Sequence, residues 1–305
     1  MATMNAKSAP VIVGAGLAGL IAAHAWPRAS IVERGAPVAM HKAVLRFRSE
    51  AVADLTGIEF RRVRVHKGLW LAGAPAAPSI RCANLYAQKC LGRLAGERSI
   101  WALDPVDRFV APDTFYEQLL EGVHNRAIWG EDFSYHANRS PVVSTAPLPV
   151  VLASLGWVAP VAFERAPITV QRFRIAGADV FQTIYFPGPE TDVYRASMTG
   201  DVLIVETTGD DLALEELSDV LDAFGLDQVS EPLGTVKQSF GKIAPIDAAM
   251  RKNLLFRLTH ERNIYSLGRF ATYRNILLDD VVADIGHIKR MLVSDSAYDL
   301  HRSAT

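Results

Sequence analysis

A chain of 305 residues, half of them apolar and with a net charge of −1, has ample material for a buried core and exceeds one average domain. That balance excludes a disordered chain and a globally basic one. Cys82 and Cys90 are too few for a disulfide framework and lack a zinc spacing, and the eight scattered histidines outline no metal site.

The first apolar run, Val11 to Val13, leads into Gly14, Gly16 and Gly19 and a helical stretch from Leu17 to Trp26 that Pro27 stops. A second short strand closes on Ile31-Val32-Glu33. Strand, Gly-x-Gly-x-x-Gly turn, helix and terminal acid make a dinucleotide-binding βαβ pattern. Gly14 allows the tight turn, Gly16 lets the backbone approach a pyrophosphate, and Gly19 lets the helix pack close to the strand. The helix N-terminus then faces the phosphates across Val13, Ala15, Leu17 and Ala18. Glu33 is expected on the adenosine ribose hydroxyls. Leu17 to Ala25 is too short to span a bilayer, so neither leader nor anchor is read and a cytoplasmic protein is expected.

Further along, Arg46-Phe47-Arg48 offers cations for cofactor phosphates or a substrate anion. Phe60 to Trp70 alternates with period two, Val63 and Val65 opposite Arg62 and Arg64, as a half-buried strand does. Helices are predicted from Ala83 to Arg98 and from Asp113, as its cap, to Val123. Pro141 to Leu148 reads as a buried strand and a turn. Val170 to Ile175, Val180 to Phe186, Val193 to Met198 and Val202 to Thr207 read as successive strands of an antiparallel sheet, followed by a helix from Asp211 to Phe224. The chain ends in a strand from Asn263 to Leu267, then Gly268-Arg269-Phe270, and a helix begun by Asp279 and Asp280.

Charge is unevenly spread. From His41 to Arg108 there are twelve Lys/Arg against six Asp/Glu, whereas Asp201 to Glu231 holds ten acids and no base. Solvated faces account for such runs, and the basic region also permits a phosphate-bearing or nucleic-acid partner.

The motif Val-x-Val-Gly-Ala-Gly-Leu-Ala-Gly-Leu with Val-Glu-Arg34, the mid-chain Val-Val-Ser-Thr145-Ala-Pro-Leu and the C-terminal Ile-Tyr-Ser-Leu-Gly-Arg-Phe together resemble the FAD-binding amine-oxidase and protoporphyrinogen-oxidase superfamily. Tyr185-Phe-Pro-Gly-Pro to Tyr194-Arg195-Ala-Ser is similar to the substrate-sheet segment of UDP-galactopyranose mutases, and Gly268-Arg-Phe-Ala-Thr-Tyr-Arg274 to their Gly-Arg-Phe-Gly-Ser-Trp-Arg. The resemblance runs from about residue 10 to 293. It implies FAD lying over Gly14 to Gly19, with Glu33, Arg34, Arg48, Thr145, Gly268 and Arg269 along it and its ring near Leu277, Leu278 and the helix that follows. It also implies that Arg195 meets an anionic group. One departure is plain: bacterial mutases carry Tyr-Tyr-Asp-Met where this chain has Asn275, Ile276, Leu277 and Leu278.

The expected fold is α/β (α+β): a discontinuous Rossmann-like FAD-binding domain (8–48, 137–158 and 236–295), and an antiparallel-sheet substrate domain with a small helical cap (49–136 and 159–235). The expected function is an FAD-dependent oxidoreductase removing a hydride from a C–N or C–H bond, most simply of an amine, on a small or nucleotide-bearing anionic substrate. A mutase-like flavin isomerase, a flavin enzyme acting on a nucleobase and a non-catalytic FAD protein are the alternatives. Arg195 and Tyr185 are the candidate substrate residues. Lys67, Lys89, Tyr86 and His41 are the candidate proton-transfer groups.

Overall fold

A computed structural model describes residues 9–37, 45–94, 100–136, 140–244 and 246–303; His41 lies outside them. The chain begins β1 (Val11–Val13), α1 (Leu17–Ala25) and β2 (Ile31–Glu33), then β3 (Arg46–Phe47), α2 (Ala51–Thr56), β4 (Arg61–Leu71), β5 (Ala74–Pro75) and α3 (Ile80–Leu91). The middle runs β6 (Val106–Val110), α4 (Phe115–Glu121), β7 (Ala127–Trp129), β8 (Val142–Ser144), α5 (Leu148–Ser154) and four longer strands. These are β9 (Arg165–Arg174), β10 (Val180–Tyr185), β11 (Val193–Gly200) and β12 (Val202–Thr207). The last part is α6 (Leu214–Phe224), β13 (Glu231–Ile243), α7 (Ala248–Arg262), β14 (Ile264–Ser266), α8 (Arg269–Thr272) and α9 (Leu278–Ser303).

Two sheets result. The first has five parallel strands in the order β14-β8-β1-β2-β7. β1 and β8 sit inside it, so Ile12 and Val143 are fully buried, as strands covered on both faces require. α1 is apolar nearly all round and packs between α4, α2 and α9. The second sheet has nine strands, ordered β13-β9-β12-β11-β10-β4-β6-β3 with β5 beside β4. α6 covers one face through Val220 over Val205 and Met198, and α3 covers part of the other through Cys82, Tyr86 and Cys90 over Leu69, Val170 and Ile204.

Several expectations change. The second sheet is not wholly antiparallel: β4 and β10 run parallel, with Lys67 opposite Thr183 and Leu69 opposite Tyr185. Parallel neighbours need a long crossover, and here more than a hundred residues separate the two strands. β13 joins this sheet on β9, so residues 236–243 belong beside the substrate strands and not with the first sheet. Conversely β7 pairs with β2, and Phe115 and Leu119 of α4 enter the core around Leu20 and Ile21, so this part of 49–136 builds the first unit. The cap is thereby reduced to α3. It starts at Ile80, three residues before the expected Ala83, because Ser79 Oγ accepts from Cys82 N at 3.1 Å, and it ends at Gly92 with φ 67°. Asp113 does not cap α4, which begins at Phe115 after Thr114. α6 begins at Leu214, where Glu216 accepts from Ala213 N at 3.1 Å.

Candidate functional site

The glycine turn follows from sterics. Gly14 has φ +99°, and a Cβ there would lie 2.3 Å from Thr145 Oγ1. Thr145 is fixed in turn, its Oγ1 donating to Val13 O at 2.9 Å. A Cβ on Gly19 would stand 1.9 Å from Gly14 O, so this position admits no side chain. Gly16 differs. It caps α1 at φ −69° and a Cβ there would meet nothing within 4 Å. Open space in front of the first amides of an apolar helix is what an anionic group needs to reach them. Ala18 closes the turn against Gly268, whose φ of +88° and 3.0 Å clearance admit only glycine in comfort.

Glu33 ends β2 beside this turn, accepting from Ala15 N at 2.7 Å and Gly35 N at 2.8 Å, while Arg34 is exposed next to it. Arg48 pairs with Asp280 at 2.6 Å at the start of α9, and Asp279 Oδ1 accepts from Arg48 N, Ser49 N and Ser49 Oγ at 2.9–3.0 Å. Leu277 N donates to Asp280 at 2.9 Å, so two carboxylates cap this helix end next to Leu278. Arg269 donates to Gly241 O of β13 at 3.0 Å.

Strand register shows which side chains share a face of the second sheet. Arg195 stands opposite Tyr185 and Glu206, Thr183 opposite Ser197 and Lys67, Val63 opposite Arg108, and Val110 opposite Arg46. Arg46, Lys67, Arg108, Tyr185, Arg195 and Glu206 therefore project from one face, the face that α3 partly covers. β3 links the regions: its Arg46 lies across this face, while the adjoining Arg48 grips α9. Arg46 donates to Thr183 Oγ1 at 2.9 Å, Thr199 Oγ1 at 3.1 Å and the carbonyls of Gln182 and Met198. Burial, with Arg195 and Arg108 nearby, lowers its pKa to about 10.

Arg195 forms an ion pair with Glu206. The Glu206 side chain is 10% exposed and that of Arg195 34%, so the acid lies below and the guanidinium is partly open to solvent. Burial pushes the Glu206 carboxyl up, but Arg195 and then Lys242 outweigh it and hold the carboxyl below its usual range. Lys242, itself buried, lies 3.7 Å from the Tyr194 ring centre. Glu206 and Lys242 were not foreseen; a lone acid ending Val202-Leu-Ile-Val205 was the signal that a buried cation faced it. Tyr185 meets Tyr86 edge-on at 5.6 Å. Lys67 is half-buried, and burial followed by Arg108 lowers its pKa.

Lys89 has another task. Its ammonium donates to Phe186 O at 2.8 Å and Val193 O at 2.9 Å, tying α3 to the β10–β11 hairpin. Burial lowers its pKa to about 8 from 10.5. A base whose folded pKa is depressed binds fewer protons folded than unfolded between those values, so its contribution to stability rises with pH there. The stability gap between the unaltered protein and Lys89→Met is expected to widen by about 1–3 kcal/mol from pH 8 to 10 in paired denaturant titrations, and a constant gap would contradict it.

The basic surplus before residue 108 is partly neutralised. Arg62 and Arg64 share Asp107 at 2.6 and 2.8 Å, their hydrogen bonds lowering its pKa to about 2, and Arg61 pairs with Asp179 at 2.8 Å. Among the described residues no His/Cys/Asp/Glu cluster is placed to hold a metal ion, and no helix is long and apolar enough to cross a membrane.

No family model matches the chain, and no curated protein does. Among solved structures, a reduced UDP-galactopyranose mutase superposes with a TM-score of 0.64 at 14% identity, covering 93% of this chain and 96% of that one. The chain shares the fold of that mutase. An oxidoreductase from Methanosarcina mazei (TM-score 0.54, 8% identity, 92% of this chain and 99% of that one) shares the fold. So does putrescine oxidase bound to putrescine (0.52, 11%, 94% and 99%). On this fold the glycine turn lies at the five-stranded sheet and the cationic face on the nine-stranded one.

Proposed function

We propose that the chain is an FAD-dependent oxidoreductase that takes a hydride from a C–N or C–H bond of a small substrate carrying an anionic group, an amine being the preferred class. The observation that carries it is the cradle at Gly14, Gly16 and Gly19, with room at Gly16 and nowhere to put a side chain at the other two. Bound FAD would supply the two-electron acceptor. In this chain Gly16 and the first amides of α1 bind the pyrophosphate, and Glu33 exchanges its bonds to Ala15 and Gly35 for ribose hydroxyls. Arg195 holds the substrate's anionic group by a charge-assisted contact. Lys67, eased towards its neutral form, holds or accepts a proton at Nζ. Tyr86 and Tyr185 wall off water.

The purified protein should be yellow and release FAD on denaturation; a colourless protein that also fails to bind added FAD removes the proposal. Glu33→Ala should weaken FAD binding by about 1–3 kcal/mol, read by flavin fluorescence during dialysis. A second reading, a flavin-dependent isomerase, is favoured by the mutase superposition at 0.64 over 96% of that protein. Turnover that requires reduced flavin and consumes no oxidant would select it.

A further inference from the structure

Two irregular strands meet around Arg195. Val193 faces Thr207 and Arg195 faces Glu206, so β11 takes two steps where β12 takes one. A bulge of this kind re-aims a side chain, and the Tyr194 ring joins Arg195 under α3, with Tyr86 at 6.3 Å. On β13, Gln238 faces Ile168 and Lys242 faces Ala166, so that strand takes four steps where β9 takes two. The irregular stretch is pinned: a Cβ on Gly241 would stand 2.2 Å from Ile168, and its carbonyl accepts from Arg269 at 3.0 Å. Lys242, the next residue, is 4% exposed, and its ammonium lies 3.7 Å from the Tyr194 ring centre. The Arg195 guanidinium lies 6.0 Å from the same ring. Two cations thus meet one ring and act on one carboxylate, Glu206. The nearer is buried, and the farther is partly open to solvent. Burying an ammonium is costly, and a methionine of similar length would fill the space without that cost.

We propose that Lys242 is a positioning residue, which holds the Tyr194 ring and repels the guanidinium from the buried side, keeping Arg195 turned outward for an anion. The inference rests on the reading of Arg195 as the anion-binding residue and adds what aims it. Lys242 acts only through Arg195 and itself touches no substrate. Without the ammonium, the electron-rich ring is left to Arg195, and the guanidinium closes on it while staying paired with Glu206.

The test is arginine labelling by phenylglyoxal on the protein as purified, read peptide by peptide by mass spectrometry. Lys242→Met should slow labelling of Arg195 about threefold or more, and Lys242→Arg should restore most of the rate. Arg62, with a side chain 69% exposed, should label equally in all three proteins and so checks that the fold is intact. Sulfate is the anion probe: it should protect Arg195 in the unaltered protein and in Lys242→Arg, and less in Lys242→Met. Arg195 labelling as fast or faster in Lys242→Met, no recovery in Lys242→Arg while Arg62 labels normally, or an Arg195 that does not label at all would each overturn the proposal. Labelling that follows Lys242 but ignores sulfate would support the aiming of Arg195 and overturn the reading of that residue as an anion site. The two therefore fail separately, and labelling proceeds whether or not the protein holds FAD.

Discussion

A Gly19→Val protein is expected to emerge without flavin and to be destabilised, whereas Gly16→Ala is expected to fold as well as the unaltered chain and still hold FAD poorly. The first Cβ atom at position 19 would stand 1.9 Å from Gly14 O. Gly14 cannot retreat, since its own Cβ position is already filled by Thr145 Oγ1 at 2.3 Å and its φ is +99°. The strain falls on the packing of α1 against β1, for which overpacking costs about 1–3 kcal/mol and at times more. At Gly16 the backbone is already in a region alanine favours, φ −69° and ψ 173°, and nothing lies within 4 Å of the added methyl. Folding therefore loses nothing there, and the restricted unfolded chain adds about 0.4–1 kcal/mol. In the proposed function the methyl stands where the pyrophosphate comes closest. A similar overpacking cost of about 1–3 kcal/mol lowers FAD affinity roughly 5- to 150-fold. Thermal melting beside flavin titration reads both quantities, and unchanged FAD affinity in Gly16→Ala would place the pyrophosphate elsewhere.

Arg195→Ala is expected to lower kcat/KM by about 10- to 1000-fold while leaving the flavin spectrum nearly intact, the loss of a charge-assisted contact of roughly 1.5–4 kcal/mol. The ion pair with Glu206 makes a sharper experiment possible. Removing Arg195 alone strands a carboxylate that is only 10% exposed, next to Lys242, so stability also falls, by about 1–3 kcal/mol. Arg195→Met combined with Glu206→Leu and Lys242→Met removes the ion pair and the buried ammonium beside it, and should restore stability. Turnover should stay low. If the guanidinium served only to tie β11 to β12, the triple variant would recover activity with stability, and that outcome excludes Arg195 from substrate binding. The sign with pH is fixed as well. Because the folded Glu206 pKa is depressed, its stabilising contribution is present above the ordinary value of 4.5 and is lost as pH falls through the folded value.

The βαβ unit was legible because Gly14 and Gly19 answer backbone demands that no other residue meets, and Glu33 falls where β2 ends. The strands from Val180 to Thr207 were legible from their turns and β-branched runs. β13 was not. Pro232, Gly234 and Gly241 break its alternation, and the pairing with β9 slips between Pro232 and Gly234 and again between Gln238 and Lys242. Gly241 is explained only by its neighbour: a Cβ there would stand 2.2 Å from Ile168. The parallel β4–β10 pair was hidden for a related reason, since strand direction is set by a partner far along the chain and leaves no local mark. Arg195 was read from the motif as a candidate substrate residue, but its ion-pair partner Glu206 lay inside an acid-rich stretch that read as solvated surface.

Both sheets take strands from distant parts of the chain: β1 and β14 lie in one, β3 and β13 in the other. During synthesis the amino-terminal β1 waits for Val142 and then for Ile264 before β8 and β14 complete their side of the sheet, and β4 waits for Val180 before it has its parallel neighbour. Neither unit is therefore an autonomous folding domain. Ordering of this kind is slow, because long loops must close before their contacts reward them. A nascent chain halted before Ile264 exposes the β8 edge and the apolar side of α1 that α9 later covers, which makes unfinished product a target for chaperones and proteases.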